Sequence, residues 1–308
     1  MTEPPVPGKT PPPFLDPQTL AKLKGLTLRA RHIVEGYLSG LHRSPYHGFS
    51  IEFAEHREYA PGDDLRYLDW KVLGRTDKYY LKQYEDETNL ICYLVLDVSE
   101  SMRYRGPDSP LSKLEYAQCL AAALAWLVLQ QQDAVGLVTF DEEIRADVRP
   151  SSSAAHLRPL LQVMESAEPR AKTASGPIFH ELAERFRKRG VVLILSDLFD
   201  DVAAMLAGLK HFRHRRHDVI LLHVLDPAEL DFPFRSPTLF KGLEQQSDVL
   251  ADPRSLRKAY LRELAAYQQD LQRGCRSQGM DYQLVRTDQP LDAVLSAYLG
   301  RRMAKVRS

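Results

Sequence analysis

Tyr93-Leu94-Val95-Leu96-Asp97-Val98-Ser99-Glu100-Ser101-Met102 is an apolar run that ends in Asp-x-Ser-x-Ser. Such a run reads as a buried strand, and its last residue opens a tight loop bearing one carboxylate and two hydroxyls at i+2 and i+4. Three hard oxygen donors on one loop suit a small hard cation such as Mg²⁺. A second run, Val191-Val192-Leu193-Ile194-Leu195, ends in Ser196-Asp197. Placed side by side and parallel, the two strands bring Asp97 and Asp197 to one carboxyl edge of a sheet, where open α/β folds bind ligands.

Outward from that pair, strands and helices alternate. The spacing predicts helices over 114–131, 156–165, 177–188, 202–211, 255–278 and 290–300, and strands over 134–140, 219–225 and 281–285. This alternation predicts an α/β fold, a doubly wound, mostly parallel sheet covered on both faces. Residues 1–18 are rich in proline and read as a disordered leader. Residues 19–88 read as a small extension of helix and short strands, and 89–300 as the sheet domain, with an insertion at 226–253 that forms either a lid or a satellite core.

Lys+Arg and Asp+Glu both total 41 in 308 residues, so a general attraction to nucleic acid or to an anionic membrane is not expected. No run approaches the ~18 apolar residues of a membrane span, and the first residues lack a charged start followed by an apolar core. The three cysteines, Cys92, Cys119 and Cys275, lie in or beside apolar stretches without Cys-x-x-Cys spacing. A soluble, cytoplasmic protein with core thiols is the expectation.

Two further clusters invite chemistry. Glu52, Glu55, Arg57, Glu58, Asp63, Asp64, Arg66, Asp69, Lys71 and Arg75 alternate in sign around a Pro61-Gly62 turn and read as a structural ion-pair network. His211, His214 and His217 are spaced by three among Lys210, Arg213, Arg215 and Arg216, and read as a solvated basic helix end. An aspartate-nucleophile phosphohydrolase built on Asp97 is the enzymatic alternative, but such chemistry wants an acid at position 99, which is Ser99.

The Asp97-x-Ser99-x-Ser101 loop, the strand 135–140 and Ser196-Asp197 resemble a von Willebrand factor A domain with a metal-ion-dependent adhesion site. Ser44-x-x-x-Gly48-x-x-x-Glu52-Phe53-x-x-x-Arg57-x-Tyr59-x-Pro61-Gly62-Asp63-Asp64-x-Arg66-x-x-Asp69-Trp70-Lys71, followed by Arg75, resembles the bacterial family called domain of unknown function 58. Ser50 stands where a second glycine is usual, and Gly74 where alanine commonly precedes Arg75. The resemblance implies Mg²⁺ or Mn²⁺ held by Asp97, Ser99, Ser101, Asp197 and a third-loop hydroxyl, Thr173 or alternatively Ser175. It further implies a non-enzymatic adaptor that captures a client's carboxylate and works with a MoxR-type AAA+ ATPase in remodelling or metalloenzyme maturation. Any ATP hydrolysis would belong to that partner, since this chain has no Gly-x-x-x-x-Gly-Lys-Ser/Thr loop. A scaffold with a vestigial site is the remaining alternative.

Overall fold

The computed structural model describes residues 20–21, 23, 25–41, 57–58, 80–81, 90–169, 175–243, 248–291 and 294–295. The chain divides into two compact units, one formed by 1–40 with 90–308 and the other by 41–89. Within the smaller unit, Arg57–Glu58 pairs antiparallel with Tyr80–Leu81. The rest of the charged motif, the proline-rich leader and the third-loop Thr173 lie outside the described residues.

The larger unit is built on a six-stranded sheet. Its strands are β1 (Ile91–Asp97), β2 (Ala134–Phe140), β3 (Ile144–Ser151), β4 (Val191–Ser196), β5 (Asp218–Leu225) and, after a hairpin of β6 (Thr238–Phe240) and β7 (Val249–Ala251), β8 (Asp281–Arg286). The sheet order is β8-β5-β4-β1-β2-β3, parallel throughout except for β3, which runs antiparallel to β2. The α/β reading is therefore correct, with β1 and β4 adjacent and Leu96 opposite Leu195. Strands β1 and β4 are buried along their whole length, which is why they read as unbroken apolar runs.

Seven helices are described: α1 (Leu26–Leu41), α2 (Lys113–Gln130), α3 (Leu157–Ser166), α4 (Ser175–Arg185), α5 (Val202–His214), α6 (Pro227–Asp231) and α7 (Pro253–Ser277). Ile91, Tyr93 and Val95 join a core with Phe179 of α4, Leu209 and Phe212 of α5 and Leu271 of α7. The pleat turns Cys92, Leu94 and Leu96 to the opposite face, against which α2 packs. That helix is buried almost all round and starts with a capping box, in which the Ser112 side chain accepts from Glu115 N–H and the Glu115 carboxylate accepts from Ser112 N–H.

Three readings are refined or corrected. Helix α1, placed by sequence in the 19–88 extension, groups through Gly40 with the sheet unit, because Leu26, Ala30, Ile33 and Val34 are buried and Leu26 N–H donates to Glu165 at 2.5 Å. Strand β3 was not anticipated. It alternates half-buried Ile144, Ala146 and Val148 with exposed Arg145, Asp147 and Arg149 and contains Pro150, as befits an edge. His217 is no solvated helix end: it is 1% exposed among the rings of Tyr93, Phe186 and Phe212, beside Phe186 O at 3.2 Å, and burial holds its pKa below the ordinary value.

The insertion forms a satellite core. Phe232 packs with Phe234, Phe240 and Tyr260 at centroid distances of 5.3, 5.7 and 4.7 Å, beneath the β6–β7 hairpin. No helix among the described residues is long and apolar enough to cross a membrane.

Candidate metal centre

Because β1 and β4 are parallel neighbours, their last residues and the loops that follow meet at one edge. Asp97, Ser99, Ser196 and Asp197 are each 0% exposed and Ser101 is 9% exposed. The Ser99 N–H donates to Asp97 Oδ1 at 2.8 Å, and the Ser196 hydroxyl donates to Asp97 Oδ2 at 2.5 Å. Ser99 and Ser101 place their Oγ atoms 3.0 Å apart. The Ser101 hydroxyl also favours the charged form of Asp197. The structure thus brings together four of the five residues singled out from sequence, Asp97, Ser99, Ser101 and Asp197; Thr173 lies outside the described residues.

The alternative third-loop residue, Ser175, begins α4, where its N–H donates to Asp200 at 2.7 Å. Its hydroxyl is buried and has no hydrogen-bond partner among the described residues.

Sequence reasoning missed the counter-charge. Lys113, 1% exposed at the first turn of α2, places Nζ 2.8 Å from Asp197 Oδ2 and 2.8 Å from Glu229 Oε1. Glu229 divides its carboxylate, since Oε2 accepts from Asp226 N–H at 2.8 Å in the capping box of α6. Two local signals were available: a lysine where the helix dipole disfavours a cation, and Asp226-Pro227-Ala228-Glu229 as a helix start.

These contacts divide the two aspartates electrostatically. Burial, reinforced by the charge of Asp197 and opposed by the Ser196 and Ser99 hydrogen bonds, pushes Asp97 up to about 7. Burial also works against the Asp197 carboxylate, but Lys113 and the Ser101 hydroxyl outweigh it and hold the group below its ordinary value. In the same way, burial disfavours the Lys113 ammonium, yet Asp197 and Glu229 hold its pKa above the usual lysine value. Behind the site, His223 Nδ1 lies 2.7 Å from the Tyr282 hydroxyl, and burial lowers its pKa to about 4.

Among the described residues no group of three or more His, Cys, Asp or Glu side chains is arranged to hold a metal ion, so any such role at this edge depends on the hydroxyls. The donor chemistry fits a hard cation. Asp97 carries a raised pKa beside a second acid, a carboxylate keeps accepting capacity after two hydrogen bonds, and the adjacent serine oxygens add neutral donors.

In sequence, the chain is similar to the uncharacterized protein Rv1480 of Mycobacterium tuberculosis and the uncharacterized protein Mb1516 of Mycobacterium bovis. Each is 26% identical over 313 residues, spanning 98% of this chain and 97% of the relative. In structure, it is similar to the conserved hypothetical protein BatB from Bacteroides thetaiotaomicron, at TM-score 0.48 and 17% identity, covering 70% of this chain and 99% of that one. It is also similar to the SpRpn10 VWA domain, at TM-score 0.40 and 12% identity, covering 67% and 93%. A family model described as "Protein of unknown function DUF58" matches residues 55–270, and the chain belongs to that family.

Proposed function

We propose that this chain is a non-enzymatic docking module in which a divalent cation, Mg²⁺ or Mn²⁺, at the carboxyl edge of the sheet captures a carboxylate side chain of a client protein. The observation that carries this reading is the buried convergence of Asp97, Ser99, Ser101 and Asp197 at the ends of two adjacent parallel strands. Ser99 N–H and the Ser196 hydroxyl fix the Asp97 carboxylate, Ser99 and Ser101 present paired hydroxyl oxygens, and Thr173 or Ser175 would supply the third-loop donor. When bound, the cation would supply a Lewis-acidic attachment point with a position open to an outside oxygen.

The phosphohydrolase alternative is disfavoured by the setting of Asp97. Such chemistry wants a second acid two residues on from Asp97, and that place is held by Ser99. The adaptor role beside a MoxR-type AAA+ ATPase, in a reducing cytoplasm, rests on the family resemblance; the three buried cysteines form no disulfide, which agrees with such a compartment.

Affinity capture from the source organism's lysate tests the reading, using the full chain in Mg²⁺, in EDTA, and as Asp97→Ala. An AAA+ ATPase and a client retained only with Mg²⁺ and intact Asp97 are expected. An identical set of captured proteins in all three arms overturns metal-dependent docking and leaves the scaffold.

A further inference from the structure

Lys113 is the only lysine or arginine that is buried among the described residues. Its position is costly on two counts. A lysine at the first turn of α2 faces the positive end of the helix dipole, and desolvating an ammonium carries a large penalty unless carboxylates surround it. Apolar residues of similar volume could fill the same space without either cost. The ammonium nevertheless reaches from the helix start to the strand end, where it grips Asp197 by Oδ2 and Glu229 by Oε1, with the Tyr104 ring 5.7 Å away.

The other oxygen of Asp197 is less committed: Phe199 N–H approaches Oδ1 only to 3.4 Å. Asp197 is therefore held on one side by a fixed cation, close to the loop that carries Ser99 and Ser101.

We propose that Lys113 is a tethered counter-ion of the candidate cation site, holding Asp197 by one oxygen so that the site stays folded without a divalent cation and takes one up weakly and reversibly. This inference rests on the cation reading given above. The ammonium and the divalent cation draw on the same aspartate, so Lys113 sets the affinity of the site, and Glu229 sets it in the opposite sense by sharing the ammonium. Through Glu229, whose second oxygen caps α6, the charge state of the site is tied to the start of the 226–253 insertion.

Two carboxylates, Asp197 and Glu229, contact the one ammonium, and the charge of Asp197 in turn acts on Asp97. Removing the ammonium enlarges the uncompensated negative charge that a divalent cation meets, and removing Glu229 diminishes it. The two changes must act with opposite sign, which a merely structural bridge would not produce, because either loss would only loosen the fold.

The experiment is Mn²⁺ binding to the full chain, followed by the electron paramagnetic resonance of the free ion and by calorimetry, for wild type, Lys113→Met and Glu229→Gln. Lys113→Met is expected to bind Mn²⁺ at least about tenfold more tightly than wild type, and Glu229→Gln several-fold more weakly. Equal affinities in all three proteins overturn the counter-ion role while leaving the cation reading intact. Binding by Lys113→Met alone supports the counter-ion role and overturns the cation reading for the native chain. No Mn²⁺ binding in any of the three overturns both. Should Lys113→Met not fold, Glu229→Gln decides: an affinity unchanged from wild type overturns the proposal.

Discussion

Ser196 and Asp97 are joined by a hydrogen bond of 2.5 Å from the serine hydroxyl to Oδ2, and this bond ties the carboxyl ends of β4 and β1 together inside the protein. The same serine oxygen accepts from Leu198 N–H at 2.8 Å, so one side chain fixes both the first candidate ligand and the turn that follows Asp197.

Ser196→Ala leaves Asp97 Oδ2 and the Leu198 amide without this partner in a dry interior. The expected loss is about 1–3 kcal/mol of stability, the range for stranding buried polar groups. Urea denaturation measures it, and the same variant should weaken Mg²⁺-dependent capture of a client. Unchanged stability would mean that the bond contributes nothing to the edge.

A methyl group at Gly208 opposes two effects. Alanine is favoured over glycine inside a helix by about 1 kcal/mol. Here, however, a Cβ on α5 would meet Gly176 O of α4 at 2.5 Å, with Phe179 Cβ at 3.1 Å. Backbone cannot yield as a flexible side chain can, so Gly208→Ala is expected to destabilise by roughly 1–3 kcal/mol, as other overpacked core positions do. A melting temperature at or above that of wild type would contradict this close helix crossing.

His223 gives the stability an acid limb. Its folded pKa, about 4, lies below the ordinary histidine value because burial disfavours the imidazolium. The neutral form is favoured on folding, so its contribution is complete above pH 6.5 and is lost as pH falls toward 4, up to roughly 3 kcal/mol. Asp97, with its pKa raised to about 7, slopes the other way. Comparing wild type with His223→Gln isolates the histidine: the stability of wild type relative to the variant should fall as the pH drops from 7 to 5. Parallel pH profiles would refute this.

Phe199 is 62% exposed, two residues beyond Asp197, with its ring 6.3 Å from that of Tyr267. Leu198 before it is fully buried at φ 52°, an unusual backbone state for leucine, and the Tyr267 hydroxyl donates to both Leu198 O and Asp200 O. Phe199→Ala should change stability by less than about 0.5 kcal/mol. If a client docks at this edge, the variant should nonetheless lose part of its client capture while keeping wild-type Mn²⁺ affinity. Full retention of capture would remove Phe199 from the docking surface.

The carboxyl edge was legible in sequence because it follows from strand ends: two apolar runs closing in Asp97 and in Ser196-Asp197 define it once the strands are parallel and adjacent. The counter-charge was not, since Lys113 and Glu229 lie 116 residues apart and meet Asp197 only through the packing of α2 and α6. Histidine spacing misled in a similar way. His217 follows the i+3 pattern from His214, but α5 ends at His214 and the next turn carries His217 inward among the aromatic rings. Strand β3 carried a readable period-two alternation, weakened as a strand signal by Pro150 and by its charged face.

That charged, proline-bearing margin bears on how other chains can approach. Arg145, Asp147 and Arg149 point away from the half-buried face of β3, and Pro150 offers no amide hydrogen. An incoming polypeptide that tried to lengthen the sheet there would meet repulsion, desolvation and a missing donor. Growth of the sheet into ribbons of stacked copies, and main-chain zipping of a ligand along this flank, are thereby guarded against.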